Sequence, residues 1–150
     1  MSILDRYNNN ILHELQANGR ISNIELAERI GLSPSACLRR VQELEKNGVI
    51  SGYRAVINYE KLGVGLTAYI AIGLADHTMP SQEAFETAMR ECPEVRECHN
   101  VTGLVEYLLR VEVADIAAYK SFHADVLGSL SQVNSITTYM VLDSPKNERG

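Results

Sequence analysis

Four side chains at helical spacing carry the first chemical signal. Ser35, Arg39, Gln42 and Lys46 fall within a sector about 60° wide when the chain is wound as a helix. Cys37, Val41 and Leu44 gather on the opposite side. An arginine can take two acceptors on a guanine edge and a glutamine two groups on an adenine edge, whereas serine and lysine suit phosphates. One side of such a helix packs and the other offers donors to a duplex. A polar face on a capped helix is also what plain solvation produces, so the neighbouring elements must decide between the two.

Those elements are short helices. Leu4, Tyr7, Ile11 and Leu15 recur at steps of three and four and are closed by Asn18-Gly19, which predicts a first helix. Ser22 precedes Glu25 at capping-box spacing, Ile21 and Leu26 flank the cap as a staple, and Gly31 supplies the stop of a second helix about eight residues long. Ser33-Pro34 opens a third helix over about 34–47, with Gly48 beyond its end. A short helix, a Gly-Leu turn and a well-capped third helix make a helix-turn-helix, whose second member can lie in the major groove. Val49-Ile50 and Tyr53 to Ile57 are expected to follow as a strand, giving a winged version. Arg20, Ser22, Asn23 and Arg54 stand at element ends, where they could meet phosphates or serve as ordinary surface residues.

The chemistry this chain excludes is also legible. Its 150 residues are 45% apolar and 22% charged, with 14 basic against 19 acidic side chains and a net charge of −5. Bulk charge alone cannot grip a polyanion, so any nucleic-acid contact must be a local patch. Up to residue 60 the chain holds 7 basic and 7 acidic residues, and after it 7 and 12, so the first part is neutral and the second carries the whole deficit. The apolar run between Lys61 and Asp76 has 14 residues, short of the roughly 20 that span a bilayer, and no membrane partner is expected. The first ten residues, with Asp5 and Asn8 to Asn10, lack the apolar centre of a secretory signal, so the chain is expected in the cytoplasm. Three cysteines, Cys37, Cys92 and Cys98, are too few and too odd in number for a disulfide framework. The four histidines show no ligand spacing, and neither a phosphate-cradling glycine loop nor a Gly-x-Ser-x-Gly elbow occurs, so no metal, no cofactor and no enzyme activity are expected.

Beyond Gly63 the pattern changes to runs of two-residue alternation. Strands are expected over 65–75, 94–101, 107–113 and 133–142, with a helix over 80–91 and another opening at Asp115 and carrying Ile116, Tyr119, His123, Val126 and Leu130. Together these form a ferredoxin-like βαββαβ unit, and the fold class is α+β. The expected division is 1–50 for the helix-turn-helix, 51–63 for a strand and linker, 64–143 for the ferredoxin-like domain and 144–150 for a tail. Four strands with helices on one face leave the other face needing a cover, and about 80 residues are marginal alone, so pairing of copies through the open sheet is expected.

The sequence resembles the Lrp/AsnC (feast/famine) family of transcription regulators over nearly its whole length. The most specific stretches are Asn18-Gly-Arg-Ile-Ser-Asn-Ile-Glu-Leu-Ala27, Gly31-Leu-Ser-Pro-Ser-Ala-Cys-Leu-Arg-Arg-Val41 and Leu44-Glu-Lys-Asn-Gly-Val-Ile50. The resemblance implies binding of double-stranded operator DNA through Ser33 to Lys46, with Arg39 and Arg40 where the family keeps basic residues. It also implies dimerisation around the strand after the helices, and a RAM-type C-terminal domain that senses small molecules and assembles dimers into tetramers, octamers or larger particles. Ala36 departs from a commonly seen proline.

The turn Thr102-Gly103-Leu104-Val105-Glu106-Tyr107 resembles the family's effector signature, with Leu104 in place of the first acid and Glu106 in place of an aspartate. A free amino acid needs N–H donors for its carboxylate and an acceptor for its ammonium group, and a glycine turn beside an acid supplies both. The same residues also make an ordinary hairpin turn. Thr138 matches a family threonine on the last strand. Two other functions remain open at this point. Some haem-pathway (siroheme-type) decarboxylases resemble the same two-part architecture, and a ligand-binding adaptor without DNA contact would share it too.

Overall fold

The computed structural model describes residues 5–148. Leu4, counted in the first helix, and the last two residues of the expected tail lie outside them. The chain divides into two compact units, Met1–Val56 and Ile57–Gly150.

The first unit holds three helices, α1 (Arg6–Ala17), α2 (Asn23–Ile30) and α3 (Pro34–Lys46). Each begins on a polar side chain that accepts from a backbone N–H otherwise left without a partner: Asp5 from Asn8, Ser22 from Glu25 and Ser33 from Ala36. Gly31, at φ 76°, takes the left-handed conformation that ends α2 and turns the chain toward α3. Ile11, Leu26, Ala27, Ile30, Cys37 and Leu44 form the buried cluster between the helices, with Val41 half-buried against it. After α3 the chain folds back through Gly48, at φ 72°, and the Ile50 N–H donates to the Leu44 carbonyl at 3.1 Å. The expected strand over Val49-Ile50 and Tyr53 to Ile57 is not formed. A strand needs a neighbour to complete its ladder, and residues 51–58 pair with none among the described residues. Tyr53 instead donates its hydroxyl to Glu45 at 2.8 Å.

The second unit is a four-stranded antiparallel sheet of β1 (Leu66–Leu74), β2 (Val95–Asn100), β3 (Tyr107–Val113) and β4 (Val133–Met140), in the order β2-β3-β1-β4. Two crossovers carry α4 (Met79–Glu91) and α5 (Ile116–Ser121). Alternation in the strands sends Ala68, Ile70, Ile72 and Leu74 of β1, and Tyr107, Leu109, Val111 and Val113 of β3, into one core with Phe85 and Met89 of α4. The helix expected to run unbroken from Asp115 through Leu130 is shorter than its apolar spacing suggested. α5 ends at Ser121 and gives way to a π turn over Phe122–Val126 and a 3-10 turn over Leu127–Ser129, which still bury Phe122 and Leu127. The altered winding keeps both side chains on the core while the chain turns toward β4.

Among the described residues of the second unit, the other sheet face carries no helix. Tyr69, Leu108 and Tyr139 stand on it, exposed by 47%, 41% and 61%. Glu112 on the same face is nearly buried, held by Arg110 at 2.7 Å and Arg96 at 3.6 Å. Arg96 also donates to the Tyr59 hydroxyl at 2.6 Å and lies over its ring, tying the 3-10 turn Tyr59–Leu62 to the sheet.

Candidate nucleic-acid interface and effector turn

The rotation of α3 is decided by its apolar seam. Cys37 and Leu44 are fully buried, so the opposite side of the helix must face solvent, and Ser35, Arg39, Gln42 and Lys46 are all exposed there. Among the described residues none bonds to the side chains of Arg39, Gln42 or Lys46. Ser35 lies 3.3 Å from the Ser33 hydroxyl. The result is a row of donors and one amide on one side of the helix, in which Ser35 pairs with Ser33.

The other residues named from the sequence divide by what they already hold. Ser22 and Ser33 cap their helices through the side-chain oxygen. Asn23 donates its amide to the Pro34 carbonyl at 2.8 Å, bracing the start of α2 against the start of α3. Arg20 and Arg54 are exposed at element ends. Arg40 leaves the exposed row altogether. Its guanidinium reaches the Asp5 carboxylate at 2.7 Å and the Asn8 side-chain oxygen at 3.1 Å, and lies 5.1 Å from the centre of the Tyr7 ring. The Asn8 backbone N–H, and after it Arg40, hold the Asp5 carboxyl below the usual carboxylate range. This contact is therefore intact at neutral pH and is lost only as pH falls through that lowered value.

The turn between β2 and β3 is built around Glu106. Its carboxylate accepts from the Leu74 backbone N–H at 2.7 Å and lies 3.2 Å from His77 Nδ1, while its backbone closes the hairpin through Val101 and Asn100. A Cβ at Gly73 would stand 2.3 Å from the Ser135 hydroxyl but at an ordinary 3.7 Å from the Glu106 carboxylate, so the tight neighbour of this glycine is Ser135. Gly103 takes φ 129°, a conformation that favours glycine, and Leu104 beside it is fully exposed. Among the described residues, nothing accepts from the N–H groups of residues 102–105.

Two of the residues named with this turn lie on the opposite sheet face. Tyr107 is buried, packs on Phe85 at 4.7 Å between ring centres and donates to Glu86 at 2.6 Å. Burial, then the Glu86 carboxylate, pushes its hydroxyl pKa up. Thr138 bonds through its hydroxyl to that of Tyr119 and shares the helix side of β4 with Ile136 and Met140. Val105 is half-buried and Thr102 exposed. His77, Gly73, Ser135 and the Leu74 amide were not read from the sequence, since only the pairing of β1 with β3 and β4 brings them to Glu106.

Burial, then the Glu86 carboxylate, pushes the Cys98 thiol up to about 11. Burial pushes the Cys37 thiol up, and burial with the adjoining Glu94 pushes Cys92 up to about 11.

Comparison with known proteins matches both halves. Residues 4–51 fit the family described as winged helix-turn-helix DNA-binding, and residues 67–150 fit the Lrp/AsnC ligand binding domain. The chain belongs to the Lrp/AsnC family of transcription regulators. It is 43% identical over 143 residues to the leucine-responsive regulatory protein of Escherichia coli, covering 95% of this chain and 87% of that one. A transcriptional regulator from Neisseria meningitidis in complex with L-methionine superposes with a TM-score of 0.91 at 38% identity, covering 96% of this chain and 93% of that one. A feast or famine regulatory protein from M. tuberculosis, also complexed with L-methionine, gives 0.84 at 34% identity, covering 98% and 97%. This Lrp/AsnC chain thus joins an N-terminal winged helix-turn-helix DNA-binding domain to a C-terminal α+β ligand-binding domain. Among its described residues no helix is long and apolar enough to cross a membrane.

Replacing Glu106 with Ala leaves the Leu74 amide without its acceptor and is expected to cost about 1–3 kcal/mol of stability, with Gln recovering part of it. Urea unfolding of the two variants checks this, and an Ala variant as stable as the parent would show that the contact carries no structural weight.

Proposed function

We propose that this regulator reads operator DNA with the Ser35, Arg39, Gln42 and Lys46 row, acts by binding alone without enzymatic activity, and works in the cytoplasm. The observation that carries this is the exposure of those four side chains on a helix whose reverse is locked into a core. Arg39 and Gln42 have the donor and acceptor pattern for base edges, while Ser35, Lys46, Arg20 and Arg54 serve the backbone. The relatives named above are regulators, which speaks against the decarboxylase reading. The exposed row speaks against an adaptor without DNA contact.

The effector is a small amino acid with an apolar side chain, held at the turn after β2. Two neighbouring structures carry L-methionine. The N–H groups of residues 102–105 receive the carboxylate, Glu106 receives the ammonium group where His77 now stands, and the exposed Leu104 supplies apolar contact. A second copy of the chain covers the open sheet face at Tyr69, Leu108 and Tyr139, and residues 51–58 complete a strand with a copy. Several reading heads on one particle give avidity that offsets the acidic net charge.

Arg39→Ala is expected to cost about 1–3 kcal/mol at one base position and to relax preference there, measured on duplexes substituted one pair at a time. Equal loss on every duplex would make Arg39 a phosphate contact only. In a thermal-shift series of the twenty amino acids, methionine or leucine at a hundred times its Kd is expected to add about 2.7 kcal/mol of stability. No shift with any amino acid would remove the effector assignment.

A further inference from the structure

We propose that Arg40 is a positioning residue, which pins the start of α1 to α3 and thereby sets the direction in which the DNA-reading row faces. This rests on the reading of α3 given above and goes beyond it, because Arg40 stands beside Arg39 in sequence and is basic like it, yet is given a different task.

The geometry points to this in three ways. Arg40 is wound about 100° from Arg39, at the edge of the seam formed by Cys37 and Leu44. Its side chain is only 12% exposed. It reaches across 35 residues of chain to the Asp5 carboxylate and across 32 to the side chain of Asn8, itself a buried polar residue, and covers the face of Tyr7. Asp5, Tyr7 and Asn8 are consecutive with the first turn of α1, so the guanidinium holds one end of that helix through a carboxylate, an amide and a ring together.

Such a contact does what the apolar cluster cannot. Contacts among Ile11, Cys37 and Leu44 are non-directional and tolerate a small roll of α3 about its own axis. A guanidinium whose Nη1 donates both to the Asp5 carboxylate and to the Asn8 side-chain oxygen is directional and resists that roll. The exposed row lies on the far side of the same helix, so a roll of α3 displaces Arg39 and Gln42 against a base edge. Base contacts depend on that placement, whereas phosphate contacts tolerate small displacements.

The test uses the full chain, the tightest duplex selected from a random-sequence DNA pool, and a scrambled duplex of equal length. Arg40→Gln and Asp5→Asn are compared with the parent, the latter because asparagine caps a helix as well as aspartate while removing the charge and the acceptor that face Arg40. Both variants are expected to lose at least tenfold in affinity for the selected duplex, to keep their affinity for the scrambled one, and to keep the parent's slope of log K against log salt. Their combination is expected to be no worse than either alone, and Arg40→Lys to recover part of the loss. If Arg40 contacts phosphate instead, Arg40→Gln will weaken both duplexes alike and reduce the slope by about 0.9, while Asp5→Asn, by releasing the guanidinium, will leave binding unchanged or tighten it. Either result overturns the proposal. Melting curves establish that each variant is folded at the assay temperature, and if Arg40→Gln is not, the milder Asp5→Asn and Arg40→Lys decide by the same criteria. A parent chain that fails to prefer any selected duplex overturns the reading of α3 itself, which is a separate outcome from a parent that discriminates and variants that discriminate equally well.

Discussion

The burial of Cys37 and Leu44 against α1 and α2 is the constraint on which the first unit turns. A helix of 13 residues has one rotation that hides those two side chains, and that rotation leaves Ser35, Arg39, Gln42 and Lys46 in solvent. The proposed DNA-reading surface is in this sense the reverse side of a core. The caps at Ser22 and Ser33 and the brace from Asn23 to Pro34 fix the starts of both helices of the motif. None of these groups needs to touch DNA for the row to be presented.

The second unit solves a different problem with a sheet. One face is closed by α4 and by α5 with the turns that follow it, and the other is left with aromatic and aliphatic side chains around a nearly buried Glu112. A carboxylate in that position is tolerable only because two arginines face it. The effector turn sits at one end of this open face, where the hairpin from β2 to β3 meets the end of β1. Glu106 contacts the backbone of Leu74 and the His77 ring directly.

Much of this was legible from the sequence, for reasons that differ by residue. The caps at Ser22, Ser33 and Asp115 and the stop at Gly31 are local and need only near neighbours, so the positions read from the sequence match the hydrogen bonds found. The two faces of α3 follow from periodicity alone. The failures are the non-local ones. Resemblance to the family's basic positions groups Arg40 with Arg39, and only the return of α1 reveals its partners Asp5 and Asn8. Thr138 was placed with the effector turn by resemblance, but β4 directs it to Tyr119 on the helix side. Residues 53–57 have strand composition without a strand beside them among the described residues, and the π turn at Phe122–Val126 has no signature in apolar spacing.

The most direct measurement is photo-crosslinking from single positions on the full chain bound to its selected duplex. A photoreactive side chain introduced at Gln42 is expected to attach to bases within the recognised site, and the same group introduced at His13, exposed on α1, is expected to give no base adducts. Adducts from His13 with none from Gln42 would mean that another surface of the first unit meets the DNA, and would contradict the account of α3.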